Sequence, residues 1–75
     1  MNTLLEKLFD ASFYYCSLND PRDQNEVMRL LKKLLPSCHH ITFGQGEWAA
    51  YDVDNRKIAY AFDNERTVET HFITY

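Results

Sequence analysis

The sequence predicts a two-layer α+β domain of order ααββββ, with two N-terminal helices packed on one face of a C-terminal antiparallel sheet of three to four strands. Three observations predict it. Residues 3 to 35 carry apolar side chains at a 3.6-residue period, interrupted once, around Asp20-Pro21. Residues 39 to 75 instead carry short runs of aromatic and β-branched residues, separated by Gly, Asp and Asn. Helices followed by a run of strands segregate into two layers. No repeat, low-complexity tract or linker divides the chain, so residues 1–75 read as one domain.

The first helix is expected over about residues 3–17. Thr3 with Glu6 matches a capping box. Leu4, Leu5, Leu8, Phe9, Ser12, Tyr15 and Cys16 share one broad face, Phe13 stands on its flank, and Tyr14 points away. The second helix is expected over about 21–35, with Asp20 as N-cap and Pro21 at the first position, where a missing N–H costs nothing. Its stripe is Val27, Leu30, Leu31 and Leu34, with Arg22, Arg29, Lys32 and Lys33 on the opposite side, and Pro36 stops it.

Four strands are expected, over about 39–43, 47–53, 57–62 and 67–75. A two-residue turn at Asp54-Asn55 pairs Trp48 with Ala61, Ala49 with Tyr60 and Asp52 with Lys57. Alternation then puts Ala49, Tyr51, Val53, Ile58, Tyr60 and Phe62 on one face, taken as the core. Trp48, Ala50, Asp52, Lys57, Ala59 and Ala61 fall on the other, taken as open. For the last strand, a loop of three residues or a bulge puts Val68, Thr70 and Phe72 inward and leaves Glu69, His71 and Ile73 outward, with Arg66 in the left-handed position. Leu30, Leu34, Tyr60 and Phe72 are the expected centre of the core.

Composition narrows the function classes. A chain of 75 residues buries only about 60% of its unfolded surface, so its stability is thin. Its 45% hydrophobic and 15% aromatic content suffices for a packed core. The net charge of −3 gives no overall basic footprint for nucleic acid; residues 41 to 75 hold six acids against three bases. Two cysteines make no secreted disulfide framework, and charges at Glu6, Lys7 and Asp10 interrupt the N-terminal apolar run, so a cytoplasmic protein with no membrane span is expected.

No catalytic or cofactor motif emerges. Cys38, His39, His40 and His71 suggest zinc, but the second closely spaced ligand pair that zinc sites use is missing, so no metal is assigned. Adjacent Cys38-His39 is not the geometry of an activated thiol. Gly44 and Gly46 lack the rest of a phosphate loop. What remains is a partner surface: Trp48, His71, Ile73, Tyr75 and Tyr14 read as exposed aromatic and apolar groups, which interfaces favour. The expected function is a small binding protein that regulates or inhibits a larger protein, or associates with itself, through an open sheet face and an edge strand. No small-molecule substrate is implied. The alternative is a nucleic-acid-binding regulator using Arg22, Arg29, Lys32 and Lys33.

Overall fold

The computed structural model describes residues 3–18 and 22–74. They form α1 (Thr3–Leu18), α2 (Arg22–Leu34), β1 (His40–Gly44), β2 (Glu47–Tyr51), β3 (Lys57–Asp63) and β4 (Val68–Phe72). The strands make an antiparallel meander in the order β1-β2-β3-β4. This is the ααββββ α+β architecture expected. Asp20, Pro21 and Tyr75 lie outside the described residues, and so does the side chain of Arg22.

The helices bury the stripes their periodicity defines. Leu8, Ala11, Ser12, Tyr15 and Cys16 are the buried side of α1. Val27, Leu30 and Leu31 are fully buried on α2, with Leu34 and Leu35 partly buried beside them. The last turn of α2 closes through Leu35 N–H donating to Leu31 O at 2.8 Å, and Cys38 N–H donating to Leu35 O at 2.9 Å carries the chain past Pro36. α1 lies across β2, β3 and β4, while α2 packs alongside α1. The two flanks of α1 therefore meet different surroundings. Lys7 stands within electrostatic reach of Glu26 on α2. Tyr15 donates its hydroxyl to Gly44 O at 2.9 Å and sets its ring edge-on to Phe43 of β1. Cys16 faces Asp63 on β3. At 3.6 residues per turn, Phe9 and Phe13 follow Cys16 round the β4 side, opposite Lys7. No second helix covers that flank among the described residues, and both rings are 45% exposed. Phe9 is thus less buried than its place in the apolar stripe implies.

The two faces of the sheet are the reverse of those expected, except at the start of β3, where Ile58 is buried and Lys57 exposed as expected. Trp48, Ala50, Ala59 and Ala61 face the helices and are at most 1% exposed. Tyr51, Tyr60 and Phe62 face away, only half-buried. The physical reason is the distance between layers. An α-helix can lie close to a sheet only over small side chains, and Ala50, Ala59 and Ala61 supply that floor. Trp48 fills the remaining gap, and its indole Nε1–H donates to Ser12 Oγ at 3.0 Å. A buried tyrosine needs a partner for its hydroxyl as well, and facing outward leaves that group in water. Trp48 is therefore core and not part of an exposed surface. Of the expected core centre, Leu30 is fully buried and Leu34 partly; Tyr60 faces outward, and Phe72 is 43% exposed at the edge strand.

The first hairpin reaches its register by two deviations that cancel. Asn55 N–H donates to Asp52 O and Asp52 N–H to Arg56 O, each at 3.0 Å, so the loop is Val53-Asp54-Asn55, with Asn55 left-handed at φ 64°. A three-residue loop shifts the pairing by one, setting Tyr51 against Lys57. A bulge then places Ile58 as an extra residue on β3, and Ala50 pairs with Ala59 and Trp48 with Ala61 as a two-residue turn would have had them. Val53 is consequently a loop residue, 75% exposed, and not core. Asp52, expected on the open face, is buried in the turn: its Oδ1 accepts from the N–H groups of Asp54 and Arg56 at 3.0 and 2.9 Å, and its Oδ2 from Arg56 Nε at 3.1 Å.

The second hairpin pairs Asp63 with Val68, Ala61 with Thr70 and Ala59 with Phe72. Val68, Thr70 and Phe72 thus face the helix side as expected, but on the face of Ala59 and Ala61 instead of that of Tyr60 and Phe62. Glu65, not Arg66, takes the left-handed position, at φ 64°.

Candidate functional site

The outward sheet face is built in rows, each residue opposite the next across a strand pair. Thr42, Ala49, Tyr60 and His71 form the middle row; Gly44, Glu47, Phe62 and Glu69 form the row beside it. On the other side His40 lies opposite Tyr51, which lies opposite Lys57. Large rings at both ends of this surface and small residues between them make its shape.

One end is an aromatic stack. The His71 ring lies on Tyr60 at 4.9 Å between centroids and on Phe62 at 6.0 Å, with interplanar angles of 20° and 10°. Tyr60 and Phe62 are themselves 6.2 Å apart and nearly parallel. At the β1–β2 side His40 stacks on Tyr51 at 4.9 Å. Thr42, Gly44 and Ala49 project little, so an open groove of about 380 Å³ runs between the stacks, bordered by Thr42, Glu47, Ala49, Tyr51, Tyr60 and Phe62. A groove of this volume holds one large side chain or a short extended segment.

The groove is polar at its ends and aromatic along its walls. The Glu47 side chain folds over Gly44, whose absent Cβ would stand 3.1 Å from Glu47 Oε1. Glu69, in the same row, lies 3.5 Å from His71 Nε2 and also accepts from Asn64 Nδ2. At the other end the Lys57 ammonium stands 5.4 Å from the centre of the Tyr60 ring, a cation–π distance. Lys57 occupies one end of the groove, and at the other the carboxylate of Glu47, beside the Phe62 ring, favours a cationic side chain.

The structure separates the residues that the sequence groups together. His71 and the half-buried Ile73 belong to or adjoin the outward face, Trp48 lies beneath it in the core, and Tyr14 is on α1 in the other layer, edge-on to Phe13 at 5.6 Å. The alternative basic set is partly engaged: Arg29 Nε donates to Glu26 Oε2 at 3.1 Å, while Lys32 and Lys33 are exposed. Cys38 and His40 meet only through a 4.0 Å contact from the thiol to the His40 carbonyl, and His39 and His40 bring their Nδ1 atoms to 3.2 Å. His71 is on β4, at the opposite edge of the sheet. Among the described residues, no three of His, Cys, Asp or Glu converge on a point where an ion could sit. Both cysteines are free thiols. Burial, with Asp63 and Glu47 nearby, pushes the Cys16 thiol up to about 11, and burial also raises Cys38, so both stay protonated at neutral pH.

His40, Glu47, Tyr51, Tyr60 and Phe62 are the site residues that sequence reasoning missed, because the face carrying them holds the larger apolar residues and so resembles a core. A usable signal was present. Two of its aromatics are tyrosines, and the opposite face holds three alanines beneath a helix. No described helix is long and apolar enough to cross a membrane. Comparison with protein-family models, with curated proteins and with solved structures gives no match, so this geometry is the whole basis for a functional reading.

Proposed function

We propose that this chain is a small protein-binding regulator, acting as an inhibitor or modulator of a larger protein on which it lays its open sheet face. One observation carries the reading: a packed aromatic layer of Tyr51, Tyr60, Phe62, His40 and His71 stands on the side of the sheet that neither helix covers. Partly exposed rings held rigid by stacking lose little conformational freedom on binding and bring large area, which is the profile of an interface centre. The groove between them, with Glu47 at its rim, favours a partner that inserts an arginine or lysine side chain. The acid excess of residues 41 to 75 points to the same basic partner. The free thiols of Cys16 and Cys38 suit a cytoplasmic setting.

The test is affinity capture from the native host with three chains: wild type, Tyr60→Ala and Tyr14→Ala. Tyr60 is on the proposed surface and Tyr14 on the far layer, and both changes should leave far-UV circular dichroism unaltered. The expected result is a protein retained by wild type and Tyr14→Ala but weakened by about 2 kcal/mol or more by Tyr60→Ala. Equal retention by all three removes the sheet face from the proposal. Duplex and single-stranded nucleic acid are titrated in parallel; binding that falls steeply with salt and depends on Lys32 and Lys33 would transfer the function to α2.

A further inference from the structure

We infer that the free edge of β4 is a self-pairing site, through which two copies of the chain join antiparallel about Thr70 into one continuous eight-stranded sheet. The inference concerns a different surface from the groove and goes beyond the reading above.

The argument begins with the backbone. In an antiparallel pair, residues alternate between those that exchange hydrogen bonds with the neighbouring strand and those whose N–H and C=O point the other way. Ile73 N–H donates to Ile58 O at 2.9 Å and Asn64 N–H to Thr67 O at 2.9 Å, which sets the phase of the β3–β4 ladder. Thr67, Glu69, His71 and Ile73 bond inward to β3. Val68, Thr70 and Phe72 therefore direct their backbone groups out of the sheet, where no further strand lies among the described residues.

A twofold axis through Thr70 uses these groups in full. It sets Thr70 opposite Thr70 of the second copy and Val68 opposite Phe72 at both ends, all as hydrogen-bonding pairs. Between them Glu69 falls opposite His71, twice, in the closer non-bonded positions. Each side-chain pairing is favourable: threonine against threonine, valine against phenylalanine, and a carboxylate against an imidazole N–H that can donate to it. β1, the other edge, pairs less fully: an axis through Thr42 sets Ile41 against Phe43, but it leaves His40 opposite Gly44, which offers no side chain to pair with.

The layer behind the edge points the same way. Phe72 is 43% exposed, and Phe9 and Phe13 on the adjoining flank of α1 are each 45% exposed. A second copy related by the Thr70 axis sets its Val68 against Phe72 and brings its own α1 flank to the same side of the seam, so the isologous contact covers apolar area on both subunits. Free edges are commonly guarded by charged side chains, proline or a bulge; β4, Val-Glu-Thr-His-Phe, has no lysine, proline or bulge, and its one acid, Glu69, finds His71 opposite it across the twofold.

The experiment is sedimentation of the full chain over a concentration series up to about 1 mM, which reaches millimolar affinities. Wild type should sediment at twice its 8.9 kDa mass. Thr70→Pro removes an N–H that the monomer does not use, and should give a folded monomer. Glu69→Lys should weaken the dimer roughly tenfold or more, because the carboxylate that accepts from His71 is lost twice and a lysine stands in its place. Adding His71→Glu to Glu69→Lys should restore it. Rescue by the double change identifies the register even if Thr70→Pro fails to fold. A wild-type chain that stays monomeric throughout overturns the inference. So does a dimer indifferent to both Glu69→Lys and Thr70→Pro. A dimer broken by Tyr60→Ala but untouched by these changes also overturns it and moves self-association to the outward face.

Discussion

At the scale of single residues, the bond between Trp48 and Ser12 links the two layers. Trp48 is the chain's one tryptophan and is almost fully buried, and its indole N–H rests on a buried serine hydroxyl. Ser12→Ala leaves that donor without an acceptor in a dry core, which should lower stability by about 1–3 kcal/mol. Urea unfolding followed by the emission of Trp48 measures it directly, and a loss below about 0.5 kcal/mol would mean that the bond contributes no more than a surface contact. Asp52 supports a pH prediction. The N–H of Arg56, chiefly, together with the Arg56 guanidinium and the N–H of Asp54, holds its carboxyl below the ordinary carboxylate range, against the opposing effect of burial. The unfolded chain therefore takes up this proton at a higher pH than the folded one does. The resulting stabilisation is complete above the ordinary carboxylate range and is lost as pH falls through the depressed folded value. Melting temperatures across acid pH should fall less steeply for Asp52→Asn than for wild type; parallel curves would show that the loop does not need the charge.

At the scale of elements, the two hairpins differ in how well residue type matches backbone. Asn55 tolerates its left-handed φ of 64°, whereas Glu65 holds the same φ without a side chain suited to it. Its N–H is engaged by Asp63 Oδ1 at 3.1 Å, which helps to keep the turn. Glu65→Gly should therefore stabilise the chain by roughly 1 kcal/mol, and Asn55→Gly by less, as read from urea midpoints at equal slope. A destabilised Glu65→Gly would mean that the glutamate side chain contributes more than the strain takes away. The same contrast explains what the sequence could tell. The α2 stripe of Val27, Leu30 and Leu31 was legible because one side of that helix is apolar and the other charged. The strand pairing Trp48 with Ala61 was legible too, although the loop that produces it was not, since a left-handed Asn55 and a bulge at Ile58 leave no mark on alternation. Which face looks inward was not legible from hydrophobicity, and its signal lay only in the tyrosines of one face and the alanines of the other. It depends on how closely α1 approaches, and hence on Ala50, Ala59 and Ala61, which weigh little on any scale of hydrophobicity. The candidate site inherited that error, so that His71 alone of the stacked rings was expected on the surface.

At the scale of the whole molecule, cover is uneven. Among the described residues, α2 supports α1 on one flank, the β4 side has only the edge of α1, and no element covers the outward face. The two surfaces left open are of different kinds. The edge offers unpaired backbone groups with apolar rings behind them, whereas the outward face offers stacked rings, a groove and carboxylates. Pairing through β4 would leave the outward faces of both copies open and continuous, so a symmetric partner could be held twice, with the gain in avidity that two linked contacts bring. The layers are tied by the hydrogen bond from Trp48 to Ser12, which spans 36 residues. That span is also an interval of time. During synthesis at about 5–20 residues per second, Ser12 emerges about 2–7 s before the indole that will cover it. A pair of helices formed within that interval would have no strands to cover Leu8, Tyr15 and Cys16, the side chains that the sheet buries in the finished fold.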